Sequence, residues 1–533
     1  METSASFVRQ AAILGGAALA VRLLGFFYRI PLTNLIGDEG NAYYLLAAQV
    51  FSLAIICQHV AIKTAVVKLT SERIARDEYQ NAHRLFTTAM GFTVLVGLVF
   101  SVSLFVFSDQ VAGIFALEEA SAALRAISPS VFFVSVAAVV YGYFQGMKTA
   151  LPTAISQIID QFFKATFAVI LAFVFFNPLH VYIPAAAATF GTTIGAFSAL
   201  VVVVTIYAKK RKYIKKTDEV AKAKERRSVQ FKLLSYTIMP IYAGVMVFAV
   251  ANLVDIGMLS DRLLDSGAFA AEEVRVLVGQ FTGKFVLLTT MPVSLAMALS
   301  IAVLPEISSS QTRFDTDAIR SKTNRALRLS MNLTFPSAVG LSVLAVPILN
   351  LLFPNYPDGG ILLQIGAVSI IFMAVYLVTQ SVLQGVGHTW LPAISALCGL
   401  IVKIPMNYFL IYDVRINVSG VVISTIACFL VAAIINIAFI KRYVGFAVDI
   451  KEAALKPLIS SLIMGLVCFL VYRGLGMVVP SQLAVLISIL CGLFSYLLMQ
   501  VVLKGIEQSE IMVIPMPAKL KKLIISLIYP PKK

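Results

Sequence analysis

The chain has 533 residues, 59% hydrophobic and 13% charged, with mean hydropathy +0.89 and a formal net charge of +16. A soluble domain carries roughly 25% charged residues, so this chain cannot coat a soluble surface and most of its outside must face lipid. Its lysines and arginines lie in short loops between apolar runs, which sets membrane orientation and is not the clustered footprint of a nucleic-acid binder.

A spanning helix needs about 20 mostly apolar residues. By that rule spans are predicted near 8–31, 41–67, 84–107, 122–146, 152–176, 181–207, 232–259, 274–304, 326–353, 361–386, 391–412, 416–440, 454–478 and 481–503. The expected fold is an all-α polytopic membrane protein of about fourteen helices. Residues 1–208 form an N-terminal lobe (helices 1–6) and 209–231 a basic cytoplasmic linker. Residues 232–442 form a C-terminal lobe (helices 7–12), 443–504 hold helices 13 and 14, and 505–533 are a cytoplasmic tail. Basic loops (Arg73, Arg76 and Arg84; Lys209 to Lys232; Arg313 to Arg328; Lys441 to Lys456) alternate with acidic or neutral ones (Asp38 and Glu39; Asp109, Glu118 and Glu119; Asp261 to Glu273; Asp358). The alternation predicts both termini in the cytoplasm. The linker should attract anionic membrane lipids.

Charges inside the membrane cost at least ~2.5 kcal/mol each, so each needs a reason. In span 1, Arg22 and Arg29 stand seven residues apart, sharing one helix face about 10 Å apart. That face suits a diphosphate, the alternative being that both snorkel to the interfaces. In span 2, Lys63 follows His59 by one turn and either lines a cavity or snorkels. His59 reads as a packing residue. Asp160 and Lys164 have i,i+4 spacing and are expected to form a structural ion pair.

Gly279-Gln-Phe-Thr-Gly283-Lys284 imitates a phosphate-binding loop but is one residue short, lacks the terminal Ser or Thr, and lies in a span. Lys284 itself is a candidate cavity residue. A repeat is visible: Gln145-Gly146, Ala154-Ile155-Ser156 and Lys164 match Gln384-Gly385, Ala393-Ile394-Ser395 and Lys403 without gaps. The copies occupy equivalent positions in two six-span units of one orientation, so the repeat is parallel, with a substrate site expected between the lobes. Lys403 has Gly399 where Asp160 would stand, lacks that counter-ion, and is the better candidate to meet cargo. The five cysteines (Cys57, Cys398, Cys428, Cys468 and Cys491) lie in apolar runs as packing residues. The tail Pro517 to Tyr529 reads as an interfacial helix. No metal, nucleotide or other cofactor and no catalytic group is expected.

The stretch Phe27-Tyr-Arg-Ile-Pro-Leu-Thr-Asn-Leu-Ile-Gly-Asp-Glu-Gly40, with Ala65-Val-Val-Lys-Leu-Thr-Ser-Glu72, resembles polysaccharide biosynthesis proteins of the stage V sporulation protein B type. These belong to the multidrug/oligosaccharidyl-lipid/polysaccharide exporter superfamily, related to the MurJ-type lipid II flippases, whose pattern Arg22-Leu-Leu-Gly25 also resembles. The resemblance implies two six-helix lobes around a central cavity, with spans 13 and 14 forming a groove for a polyprenyl tail. It matches Arg22 to a cavity arginine, and places Arg29 and Lys284 near two others. Asn41 stands where MurJ-type proteins tend to have Asp.

The function so implied is a non-enzymatic flippase in the bacterial cytoplasmic membrane. It carries an undecaprenyl-diphosphate-linked saccharide, with lipid II the favoured cargo, and has cell-wall synthesis proteins as possible partners. Substrate-binding candidates are Arg22, Arg29, Lys63, Lys284 and Lys403. The alternative is a cation-coupled multidrug exporter of the same superfamily, which wants acidic cavity groups. A membrane polymerase or glycosyltransferase would need a carboxylate cluster that the sequence does not offer.

Overall fold

The computed structural model describes residues 2–55, 61–74, 76–147, 149–215, 225–311, 313–477, 479–503 and 505. Cys57, His59, linker residues 216–224 and the tail helix expected over 517–529 lie outside them. The described residues contain helices and no strand, as expected where a bilayer forces each backbone polar group to find its partner within its own segment. Nine described helices are long and apolar enough to cross a membrane, or up to eleven if each of two bent pairs is one span. The expected spans overlap these helices: 481–503 matches Ser481–Val502 closely, whereas 326–353 begins well inside Thr316–Val343 and 41–67 runs from Glu2–Ile55 into Lys63–Ile74.

The chain divides into two compact units, Met1–Gly283 and Lys284–Lys533. The first contains α1 (Glu2–Ile55), α2 (Lys63–Ile74), α3 (Tyr79–Val106), α4 (Ser108–Ile114), α5 (Ala120–Gly146), α6 (Leu151–Val174), α7 (Tyr182–Lys215), α8 (Arg227–Asp265) and α9 (Ala271–Gly279). Spans 1 and 2 are joined in α1, which kinks at Gly37 (φ 70°, ψ −176°). That left-handed φ favours glycine. The Asn41 amide donates to the Gly37 carbonyl at 2.9 Å, a bond that aspartate could not donate. The departure from the MurJ-type pattern at Asn41 therefore has a local structural use. The interior of this unit is anchored by Phe86, whose ring lies 4.7 Å from Tyr143 and 5.0 Å from Tyr207.

A π turn, Gln280–Phe285, carries the chain past the unit boundary. The second unit then holds α10 (Val286–Gln311), α11 (Thr316–Val343), α12 (Ala345–Leu352), α13 (Gly360–Gly366), α14 (Ser369–Gly385), α15 (Leu391–Tyr412), α16 (Ser419–Phe439), α17 (Ile450–Leu475) and α18 (Ser481–Val502). Interhelical polar bonds fasten it, as is usual where lipid removes the hydrophobic drive between helices. Ser395 donates to Asn436 Oδ1 at 2.5 Å, and the Asn436 amide reaches Thr379 at 3.2 Å.

The sequence repeat occupies matching places in the two units. A Cβ on Gly146 would stand 2.6 Å from Thr70 of α2, and one on Gly385 would stand 2.8 Å from Ile307 of α10. Thus α5 meets α2, and α14 meets α10, through a bare glycine backbone. Likewise Ser156 ties α6 to the Ala199 carbonyl of α7 at 2.7 Å, as Ser395 ties α15 to α16.

Candidate functional site

Unit 1 encloses a cavity of about 290 Å³ between α1, α5, α6 and α7. Gln157, Asp160 and Lys164, spaced three and four apart, present one face of α6 to it. Thr192, Ala196 and Ala199 do the same on α7, and their small size leaves the space open. From α1 come Val21, Arg22, Phe51 and Ile55, and from α5 Val134, Ala137 and Tyr141. The Tyr141 hydroxyl and Ser156 hydroxyl pair at 2.7 Å, which orients the phenol at the cavity wall. Two cations and one carboxylate thus line a chamber whose remaining walls are apolar or neutral.

Arg22, Asp160 and Lys164 share the cavity. Arg29 turns to the Tyr44 ring, its guanidinium carbon 5.6 Å from the ring centre, and the Tyr44 hydroxyl pairs with that of Tyr28 at 2.8 Å. Lys63 opens α2, half-buried, and its backbone carbonyl would lie 2.9 Å from a Cβ on Gly142. Lys284 is 1% exposed, and its ammonium donates to the Asp358 carbonyl at 3.0 Å, holding the loop before α13. Lys403 is 7% exposed on the buried stripe Ser395, Gly399, Lys403, Asn407 of α15. That stripe packs on α16, where Ser395 bonds Asn436 and Ser424 donates to Asn407.

The sequence favours Lys403 as the lysine that meets cargo; in unit 1 the cavity wall carries Lys164. The two lysines sit beside differently built helix seams. In unit 2 the bare Gly399 lets Cys428 of α16 approach, a Cβ there falling 2.7 Å from the Cys428 carbonyl. In unit 1 the small residue is on the other helix: Gly195 of α7 makes room for Asp160.

The phosphate-loop look-alike also has a packing use. Gly279 lies against the Asp38 backbone, and a Cβ on Gly283 would stand 3.0 Å from that of Asn41. The motif is a G-x-x-x-G close-approach pair, and that spacing was visible in the sequence. Arg275 on α9 adds an ion pair to Glu39 at 2.7 Å, and Tyr43 donates to Glu39 at 2.8 Å. Sequence spacing does not connect this group, since Arg275 and Glu39 are 236 residues apart.

Unit 2 has an apolar groove of about 420 Å³. Its walls are Asn332 to Gly340 of α11, Leu344 and Ile348, Met464 and Cys468 of α17, and Ile489, Leu493, Tyr496 and Leu497 of α18. The Tyr496 hydroxyl donates to the Asn332 carbonyl at 2.8 Å and accepts from Gln500 at 3.0 Å, fixing one side. The helices α17 and α18 are the expected spans 13 and 14.

Comparison with known proteins agrees with this architecture. The polysaccharide biosynthesis protein family model matches residues 7–311, and the MatE family model matches 278–409. The chain is 24% identical over 502 residues to the lipid II flippase MurJ of Bacillus subtilis (strain 168), covering 90% of this chain and 91% of that protein. It is 23% identical to stage V sporulation protein B of the same organism, covering 84% and 86%. A solved structure of lipid II flippase MurJ in an inward closed conformation superposes with TM-score 0.69 at 19% identity, over 92% of this chain and 98% of that one. The chain belongs to the polysaccharide biosynthesis protein family, within the multidrug/oligosaccharidyl-lipid/polysaccharide exporter superfamily.

Proposed function

We propose that this multi-pass membrane protein flips an undecaprenyl-diphosphate-linked saccharide, with lipid II the favoured cargo, from the inner to the outer leaflet by alternating access. The observation that carries the reading is the cavity of unit 1, where Arg22 and Lys164 outnumber the one carboxylate, Asp160. Fixed cations inside a membrane protein suit an anionic ligand, and an arginine fork matches phosphate oxygens bidentately. The groove along α11, α17 and α18 supports a lipid-linked cargo, since its apolar walls suit a polyprenyl chain. The similarity to MurJ of Bacillus subtilis supports lipid II as that cargo. With the cytoplasm about 100 mV negative, each negative charge moved outward gains ~2.3 kcal/mol. A diphosphate therefore needs no nucleotide to be driven.

The test is expression in a bacterium depleted of its own lipid II flippases, with lipid-linked saccharides of each leaflet identified by mass spectrometry. Rescue of growth with lipid II restored to the outer leaflet is expected. Failure to rescue, together with accumulation of a different lipid-linked saccharide when this protein is removed from its own host, reassigns the cargo.

The MatE match over 278–409 and the carboxylate of Asp160 favour a second reading, a cation-coupled multidrug exporter. Two cations against one acid in the cavity weigh for the first.

A further inference from the structure

On the reading that the unit 1 cavity takes a diphosphate, we propose that Asp160 is its release residue. In the empty cavity its carboxylate offsets the charges of Lys164 and Arg22. Once cargo arrives it repels the bound phosphates and shortens their stay.

Three observations carry this beyond a structural ion pair. The first is the state of the carboxylate. Asp160 lines the cavity with Lys164 and Arg22. Among the described residues, however, it takes no hydrogen bond, and no Asp160–Lys164 pair occurs among the ion pairs of 4.0 Å or less. A carboxylate held for architecture alone would be locked by such contacts, because an unsatisfied charge in a membrane interior is costly.

The second is the space kept for it. A Cβ on Gly195 would stand 2.8 Å from Asp160 Oδ1 and 2.6 Å from the Asp160 carbonyl, so α7 is bare where the carboxylate sits.

The third is the repeat, which serves as an internal control. Lys403 occupies the register of Lys164 in α15, with Gly399 in the place of the acid. A lysine at this position therefore inserts and folds without a carboxylate one turn before it. An acid in the place of Asp160 is thus not a fixed accompaniment of the lysine in this repeat.

A carboxylate beside a phosphate site weakens binding by Coulomb repulsion and hastens dissociation. In a transporter this is useful, because cargo held too well is not released.

The test uses the full-length protein in detergent, with inorganic pyrophosphate as the probe and calorimetric titration as the readout. Asp160→Asn is expected to bind pyrophosphate at least tenfold tighter, the effect of one like charge about 12 Å away at an effective dielectric of about 20, with closer approach giving more. It should also rescue flippase-depleted cells less well, at unchanged membrane abundance. Asp160→Glu, which keeps the charge, should stay near wild type in both. An Asp160→Asn protein of normal abundance that binds no tighter than wild type overturns the proposal. So does loss of Asp160→Asn from the membrane while Asp160→Glu accumulates, since that makes the acid a folding counter-ion. Absence of pyrophosphate binding by the wild type, unchanged by Arg22→Ala, fails the diphosphate reading itself.

Discussion

Arg73 at the end of α2 grips Glu225, 152 residues later in the chain, through two nitrogens at 2.6 and 3.2 Å, while a third nitrogen donates to the Leu69 carbonyl at 3.0 Å. Arg73 is 5% exposed, and the Glu225 carboxylate also accepts from Gln230 at 3.1 Å. The Glu225 backbone is held as well, its N–H donating to Asn81 and its carbonyl accepting from Arg84. The contact clasps the end of the basic linker to the facing ends of α2 and α3.

A buried arginine stripped of its acid is left uncompensated. Glu225→Gln should therefore destabilise unit 1, by ~1–2 kcal/mol after allowing for a carboxylate that is 31% exposed. Burial works against the Glu225 charge. The bonds from Arg73 and Gln230 and the charges of Arg73 and Arg76 outweigh it and hold the carboxyl below its ordinary 4.5. A carboxyl depressed by folding contributes stability above its unfolded pKa and loses it as pH falls through the folded one. The gap in melting temperature between wild type and Glu225→Gln should thus be constant at neutral pH and close only below about pH 4.5. A gap that closes between pH 6 and 8, roughly the range where histidine titrates, would assign the effect elsewhere. The swap Arg73→Glu/Glu225→Arg should recover part of the loss.

Lys164 and Lys403 should respond differently to replacement by glutamine. Lys164 faces the cavity and Lys403 the seam between α15 and α16. Lys164→Gln should lower transport several-fold at normal abundance, while Lys403→Gln should lower abundance before it lowers transport per molecule. Immunoblots alongside complementation separate the two. Equal loss of abundance at both sites would contradict the assignment.

The groove of unit 2 offers a separate handle on the lipid tail. Tryptophan in place of Leu493 or Ile489 fills part of its 420 Å³. Such variants should retain pyrophosphate binding yet fail to rescue flippase-depleted cells. Tyr496→Phe, which removes the bonds to Asn332 and Gln500, should cost only about 1 kcal/mol of stability. Tryptophan variants that rescue as well as wild type would remove the groove from the transport path.

The helical fold, its segment positions and the repeat were legible because a bilayer imposes length and apolarity on every span. The sites were less so, for reasons visible at particular residues. Gly195 and Gly399 lie on different helices of their pairs, so the seams beside Lys164 and Lys403 are built differently. Periodicity on one helix does not report the neighbour's shape. Arg22 and Arg29 share a helix face, but Tyr44 draws Arg29 to its ring. The Arg73–Glu225 clasp joins residues too distant in sequence for spacing to connect them.

Orientation follows from loop charge and is open to labelling. After replacement of the five native cysteines, single cysteines at Glu118 and Asp358 should react with an impermeant thiol reagent in intact cells. One at Lys216 should react only after the membrane is opened. Labelling of position 216 from outside reverses the topology and with it the direction of flipping.

Arg22 separates the two functional readings most sharply. It lines the cavity beside Lys164, where a guanidinium suits a visiting anion. Arg22→Lys keeps the charge and loses the planar fork, so it should retain part of the activity. Arg22→Ala should remove nearly all of it at unchanged membrane abundance. Arg22→Glu should be worse still, because it sets a second carboxylate beside Asp160 and leaves Lys164 as the one cation on the wall. Pyrophosphate binding should fall in the same order. A cation-coupled drug exporter predicts the reverse: added negative charge would be tolerated or would strengthen cation binding. The measurement is growth of flippase-depleted cells carrying each variant, with protein level checked by blot and resistance to cationic drugs scored in parallel. Full rescue by Arg22→Glu would end the diphosphate role of this residue. Drug resistance gained by the same variant would make the exporter the reading to pursue.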